Sequence, residues 1–521
     1  MLPAQVPANE NAGAPGIERL TLVLLVAAAV ALRLARLTSK PFWFDECFSV
    51  ELARLSWNNF LHVVWWREAN MMLYYLLLRA WLSVGGHYGQ SEFYIRSLSA
   101  LLAAATIPAV YWLARLLYSP RVALLAAALF TFNAYNLRYA QEARSYALLV
   151  LLATLSSGFL IAWLRQPQSC SPRRIQAGYI LAGILALYAH FYALLLLAAH
   201  WLALGWMGAP GLSDRGAERP RKIRRAGKLI GIAGLPLLIF VAKTGAGPIG
   251  WIHRPGIRDL LAFSEQLAGG SSWLLPLMYA AACLAAAAPL GRNLWRRDRN
   301  WETWRVQFLL VWLLLPVMLT ALLSLARPVF LSRYLIFCQP ALVILAAAGI
   351  ARPRPEWLSA PVLAGFLLLA LQGVFFVYAH DFDDQRDGSG AAADFILDHT
   401  EAGDGVIFDI AAARVPYEFY RSLRAGEDTA SPRFTGQLGP EILFPHEGAG
   451  LDYRDFQARL TPDRLRAVVR GHRRVWVVLI YTGDVKPDAT TVLLTRTLPE
   501  WFSRVERWQF PKVEVRRYSS E

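Results

Sequence analysis

The chain has 521 residues, of which 56% are hydrophobic and 17% charged, against about 45–50% and about 25% in an ordinary soluble domain. That balance, with 19 tryptophans of the kind that anchor at membrane interfaces, excludes a soluble enzyme, a disordered scaffold and a disulfide-built secreted module. The net charge of +15 does not indicate nucleic acid: residues 1–380 hold 34 Lys+Arg against 15 Asp+Glu and residues 381–521 hold 19 against 23, so the basic excess lies in the apolar part, mostly in short loops, as the positive-inside rule requires.

Residues 1–18 are polar and rich in Pro, Gly and Ala, and read as a disordered cytoplasmic leader. The apolar run near 20–37 is long enough to span and lacks a clean small-residue cleavage site, so it reads as a retained first helix. Pro41-Phe42-Trp43-Phe44-Asp45-Glu46-Cys47 follows, two adjacent carboxylates preceded by aromatics at the membrane surface. A carboxylate there can be a general base that takes a proton from an acceptor hydroxyl, or half of a metal site. It can equally be a solvated acid in the first turn of an interfacial helix. The run 71–84, short for a span and carrying Arg79, reads as an interfacial helix.

Further spans are expected near 96–117, 122–138, 143–164, 176–190, 192–208, 229–244, 273–290, 306–326, 333–350 and 357–379, about eleven in all. With the N-terminus inside and 71–84 not crossing, one side collects Arg115 and Arg121, Arg165 to Arg174, Arg215 to Lys228, Arg292 to Arg305, and Arg352 with Arg354. The expected topology in the cell membrane (inner or plasma membrane) is therefore N-terminus cytoplasmic and C-terminus extracytoplasmic.

On the opposite side the spans carry other ionisable groups at their ends. Arg138, Tyr139, Gln141, Glu142, Arg144 and Tyr146 lie between the third and fourth spans, and His190 lies at the next outer boundary. Lys243 stands beside the loop 244–272, which holds His253 and Arg254, and Arg333-Tyr334 opens the span after Pro328. Charges at membrane depth cost about 2.5–3.5 kcal/mol each and so need partners or a polar cavity. Each group has an ordinary structural reading, as a helix-end ion pair, a packed histidine or a snorkelling arginine. Together, a carboxylate and several cations on one outer face suit a lipid-phosphate-linked donor, with the cations or a metal stabilising the phosphate leaving group.

After residue 380 the pattern changes. Residues 405–409 and 474–481 read as buried strands, and 391–400, 414–424 and 462–471 as helices, the last with Thr461 as cap and Pro462 in its first turn. Residues 381–521 thus form an expected extracytoplasmic α/β domain, beside a transmembrane catalytic domain 19–380 whose first outer loop is 38–95. Cys47, Cys170, Cys283 and Cys338 show no metal or disulfide spacing.

The stretches 43–55 (WFDECFSVELARL), 73–82, 91–118, 138–149 (RYAQEARSYALL), 187–196, 327–342 and 390–409 together resemble the GT-C glycosyltransferases, in particular the branch of protein mannosyltransferases and the aminoarabinose transferase of lipid A. The resemblance covers most of the chain. It implies a polytopic α-helical membrane protein with a GT-C-like fold that transfers a hexosyl or pentosyl group, with inversion, from a polyprenyl-phosphate carrier to a lipid, glycan or protein acceptor. By carry-over, Asp45 is the base with Glu46 as neighbour or alternate. Glu142 and Arg144 match the block in which donor or metal contacts are placed, and His190 and Arg333 match weaker family positions; Arg138, Tyr146 and Lys243, on the same outer side, are further candidate donor and phosphate contacts. Some relatives use a divalent metal, for which Asp45 and Glu142 are the candidate ligands, and some use none. The chain departs from the family at Asn70-Met71-Met72, where His-Pro-Pro is common. That departure keeps a non-catalytic envelope scaffold as an alternative. A flippase for lipid-linked sugars is the other, and predicts mid-span charges and repeat symmetry.

Overall fold

The computed structural model describes residues 15–86, 91–166, 173–205, 218–244, 252–270, 272–296, 300–352, 357, 359–380, 388–428, 439–445, 458–480 and 489–520. Residues 1–14 of the expected leader, Cys170, Arg215, Arg297, Arg299 and Arg354 lie outside them. In chain order the helices are α1 (Pro15–Leu34), α2 (Phe44–Arg54), α3 (Trp57–Trp66), α4 (Met72–Gly85), α5 (Glu92–Leu117), α6 (Pro120–Thr131) and α7 (Ala134–Ala140). Next come α8 (Tyr146–Arg165), α9 (Arg173–Ala189), α10 (Ala193–Gly205), α11 (Glu218–Thr244), α12 (Ile257–Ala268), α13 (Leu274–Ala287) and α14 (Leu290–Trp295). Then follow α15 (Trp301–Ala326), a 3₁₀ stretch Ser332–Cys338, α16 (Gln339–Ile350), α17 (Ser359–Ala379), α18 (Ser389–His399), β1 (Gly405–Phe408) and α19 (Arg414–Asp428). The chain closes with β2 (Glu441–Phe444), α20 (Pro462–Val469), β3 (Arg474–Ile480), α21 (Ala489–Trp501), β4 (Arg504–Phe510) and β5 (Val513–Ser519).

This is a multi-pass membrane protein. Among the described residues, seven helices are long and apolar enough to cross a bilayer: Glu92–Leu117, Tyr146–Arg165, Arg219–Thr244, Leu274–Asn293, Trp301–Ala326, Ser332–Ile350 and Ser359–Ala379. The other four expected spans are also helical but fall short for visible reasons. Helix α1 carries Glu18, Arg19 and Arg33 within 20 residues. The segment 122–138 is cut at Phe132–Asn133 into α6 and α7, α9 has 17 residues and α10 has 13. Helix α11 starts at Glu218, so the basic run up to Lys228, read as loop from the sequence, is helical. Helix α4 has 14 residues, about 21 Å at 1.5 Å per residue.

Two compact units emerge: residues 1–35 with 99–382, and residues 36–98 with 383–521. In the first, helix ends are tied by side chains. Asn133 caps α7 by accepting from the Asn136 N–H at 3.0 Å, and its amide donates to the Leu267 and Ala268 carbonyls at the end of α12. The fully buried Arg33 donates to Asn136 Oδ1 at 2.8 Å and to the Thr131 carbonyl. Small residues let backbones meet, as membrane helix packing favours. A Cβ on Gly349 of α16 would lie 1.9 Å from the Ala282 carbonyl oxygen of α13.

In the second unit a five-stranded mixed sheet has the order β2-β1-β3-β5-β4, with β2, β1 and β3 parallel and β5 and β4 antiparallel. Strands β1 and β3 are buried along nearly their whole length, which explains their unbroken apolar sequences. Ile407, Val475, Val477, Leu494, Leu498 and Tyr518 share one core. Thr461 caps α20, accepting from the Arg464 N–H, with Pro462 in the first turn as the sequence predicts.

Candidate functional site

Asp45 and Glu46 occupy the first turn of α2, where acidic side chains complement the helix dipole. Consecutive helical residues point about 100° apart, and the two carboxylates part company accordingly. Glu46 is fully buried and takes a bidentate pair from Arg96, Nε to Oε1 and Nη2 to Oε2, both at 2.7 Å. Arg96 also donates to the carbonyls of Leu37 (2.8 Å), Lys40 (2.7 Å) and Pro41 (3.3 Å), and lies 4.4 Å from the Phe42 ring centroid. The Glu46 carboxylate is thus the anchor of the segment 37–46. Asp45 is half-buried, and its backbone carbonyl accepts from Ser49 Oγ at 2.9 Å.

The other candidates belong to the first unit, and they sit where helices break. Between α7 and α8 the chain runs non-helically through Gln141 to Ser145, all buried except the half-buried Gln141. The Gln141 amide caps the end of α1, donating to the carbonyls of Arg33 (3.1 Å) and Ala35 (2.7 Å). Arg138, in the last turn of α7, pairs with the buried Glu142 at 2.5 Å and lies over the Tyr139 ring. His190 fills the break between α9 and α10, and its Nδ1 accepts from the Tyr192 N–H at 3.2 Å, which places the proton of a neutral ring on Nε2. Arg333 stands in the 3₁₀ stretch before α16 and is 5% exposed.

These three breaks meet through their rings. His190 is 4.6 Å from Tyr334 and 6.3 Å from Tyr146, Tyr192 is 5.0 Å from Tyr334, and Tyr139 is 5.0 Å from Tyr146. The Tyr192 hydroxyl donates to the Val329 carbonyl. Arg144 and Arg333 both lie within electrostatic reach of Tyr146 and of His190. The Tyr146 hydroxyl and Ser145 Oγ are buried and make no hydrogen bond among the described residues. Unsatisfied buried hydroxyls of this kind cost about 1–3 kcal/mol each. They share one electrostatic neighbourhood with Arg144 and Arg333, lined by the Tyr139, Tyr334 and His190 rings. Lys243 is not brought in by these contacts: it is exposed in the last turn of α11, one turn beyond Phe240, whose ring lies 6.0 Å from Phe191.

Tyr334 and Tyr192 line the cluster and Arg96 orders the Asp45 segment, yet none stands out in the sequence as a site residue. The available signal was weak: an arginine inside an otherwise apolar segment at 96, and tyrosines adjoining the singled-out His190 and Arg333. Among the described residues no three His, Cys, Asp or Glu side chains come together as a metal site. Asp45 and Glu142, the metal candidates, belong to different units.

No protein-family model matches the chain, and no curated protein matches it by sequence. Solved structures do. The structure of ArnT from Cupriavidus metallidurans bound to undecaprenyl phosphate is similar with a TM-score of 0.58 at 14% identity, over 97% of this chain and 98% of that one. Its apo state is similar with a TM-score of 0.58 over 96% and 98%. The Archaeoglobus fulgidus oligosaccharyltransferase tethered with an acceptor peptide is similar with a TM-score of 0.51 at 12% identity, over 89% of this chain and 69% of that one. The likeness over nearly the whole chain shows that it shares the overall fold of the ArnT structures.

Proposed function

We propose that this chain is an integral membrane glycosyltransferase that moves a sugar from a polyprenyl-phosphate donor to an acceptor at the extracytoplasmic face, with inversion at the anomeric carbon. The observation that carries the reading is the pair of buried hydroxyls, Ser145 and Tyr146, without hydrogen-bond partners among the described residues, beside Arg144 and Arg333. Guanidinium and hydroxyl donors in an aromatic, water-poor surround suit a phosphate that gains charge as the sugar leaves. The ArnT structure, in the same fold, holds undecaprenyl phosphate.

In the proposed reaction the acceptor oxygen attacks the anomeric carbon while the bond from that carbon to the phosphate oxygen breaks. The acceptor proton passes to a carboxylate base, the role that the family resemblance gives to Asp45, and the electron pair leaves on the lipid phosphate. Arg144 and Arg333 bind the phosphate, Tyr146 and Ser145 donate to its oxygens, and the Arg138–Glu142 pair and His190 hold the break in shape. Glu46 is assigned a positioning role and Lys243 a place at the rim. In the topology that accompanies this reading, the seven long helices are joined as crossings by α1, the α6–α7 pair, α9 and α10. The N-terminus is cytoplasmic, and the loop 38–95 and the domain 381–521 are extracytoplasmic.

The test uses purified wild type and Asp45→Asn in nanodiscs, given radiolabelled polyprenyl-phosphate sugars with acceptor lipids, glycans or peptides, with and without EDTA. Release of polyprenyl phosphate by wild type, reduced about 10²–10⁴-fold in the variant, is the expected result. Equal release by both overturns the assignment of Asp45. No release from any donor favours the envelope scaffold.

A further inference from the structure

We infer that Tyr420, on helix α19 of the α/β sheet region, is a positioning residue for Asp45, so that the C-terminal part of the chain is a working component of the transferase. This rests on the function proposed above. The Tyr420 hydroxyl accepts the Phe42 backbone N–H at 2.8 Å and donates to Glu92 Oε1 at 2.8 Å. Glu92 lies 3.7 Å from Arg96, which holds Glu46 bidentately, so one chain of polar contacts brackets residues 42–46 on both sides. The rings repeat the connection: Phe42 stacks on Phe419 at 5.0 Å and 17°, while Arg96 covers Phe42.

The phenol is itself confined. Gly390 of α18 faces it so closely that a Cβ there would lie 2.7 Å from the hydroxyl oxygen. Burial, then Cys47 and Glu92, pushes the Tyr420 phenol up, so it remains protonated and able to donate. Phe42 precedes Asp45 by three residues, and its N–H is fixed by a side chain 378 residues away in sequence. A base must sit within hydrogen-bond reach of the proton it takes, and an error of about 1 Å in such placement costs on the order of a hundredfold.

Two variants test this in nanodisc-embedded full-length protein. Tyr420→Phe removes the hydroxyl and keeps the ring. Gly390→Ala displaces the ring and removes no polar group. Both should lower kcat about ten- to hundredfold with the donor KM within about twofold, since neither touches the proposed phosphate contacts. Both should also raise amide hydrogen exchange at Phe42 by at least about tenfold, and Tyr420→Phe should add little to Asp45→Asn. Unchanged exchange at Phe42 overturns the inference whatever the activity. Raised exchange with unchanged kcat overturns the positioning role. If wild type releases no polyprenyl phosphate but exchange at Phe42 still rises in both variants, the transferase reading fails while the coupling of Tyr420 to residues 42–46 stands.

Discussion

Replacing Glu46 by Gln tests whether the carboxylate beside the proposed base is an architectural anchor. Its two oxygens each take a 2.7 Å bond from Arg96, and the two side chains are 0% and 1% exposed. Removing one partner of a buried ion pair costs about 3–5 kcal/mol, because the remaining charge stays desolvated. Glu92 at 3.7 Å partly compensates Arg96, so the lower end, about 3 kcal/mol, is expected. If the second unit unfolds as one block, that lowers its midpoint by about 6–12 °C, readable by tryptophan fluorescence in nanodiscs. A cycle with Arg96→Met and the double variant should give a coupling of about 2–3 kcal/mol. The double will not regain full stability, because the Leu37, Lys40 and Pro41 carbonyls lose their donor. A coupling below about 0.5 kcal/mol, or a Glu46→Gln protein as stable as wild type but inactive, refutes the anchor and makes Glu46 a direct participant.

Arg333→Lys, which keeps the charge and loses the planar fork, should raise the donor KM about tenfold with a smaller effect on kcat; an unchanged KM removes Arg333 from phosphate binding. Glu51, part-buried on α2, has its pKa raised by burial, with Arg54 lowering it and Glu418 raising it further. A raised folded pKa means that its penalty is absent below the unfolded value of about 4.3 and grows as pH rises through the folded one. Glu51→Gln should therefore raise the thermal midpoint at pH 8 but not at pH 4, and an equal shift at both excludes a titration effect. Gly349→Ala should cost about 1–3 kcal/mol by overpacking α16 against α13, since its Cβ meets backbone at 1.9 Å. A variant as stable as wild type shows that the helices separate without penalty.

Legibility followed the range of the forces involved. The long apolar helices are written in local composition, so α5, α8, α15 and α17 lie close to where the hydropathy pattern predicts them. Strands β1 and β3 were legible because burial on both faces forces unbroken apolar runs. Strands β4 and β5 were not: Arg504, Glu506, Arg507, Arg516 and Arg517 interrupt them, and they are held by the turn at Pro511-Lys512, by pairing with each other and by the pairing of β5 with β3. The cut between α6 and α7 was also hidden, because the Asn133 that makes it bonds to carbonyls 134 and 135 residues away. In the cluster, Arg138 and Glu142 were readable as an i,i+4 pair. The meeting of Tyr146, His190 and Tyr334 was not, since no local pattern records which helix breaks face each other.

The same distinction separates Asp45 from Glu46. In one dimension they form a pair, and a pair of acids suggests a shared role as base and alternate or as metal ligands. On a helix they cannot share a face. One turns inward, where its charge is tolerable only because Arg96 supplies two bonds to it and three more to the preceding loop. The other stays at the half-buried edge, where a proton can be exchanged with something that arrives. The buried acid, by fixing the loop, determines where the edge acid sits, and Tyr420 fixes the same loop from the opposite end of the sequence. Burial and the bidentate Arg96 pair set Glu46 apart from its half-buried neighbour. For that reason Glu46→Gln is expected to register chiefly in stability and Asp45→Asn chiefly in turnover.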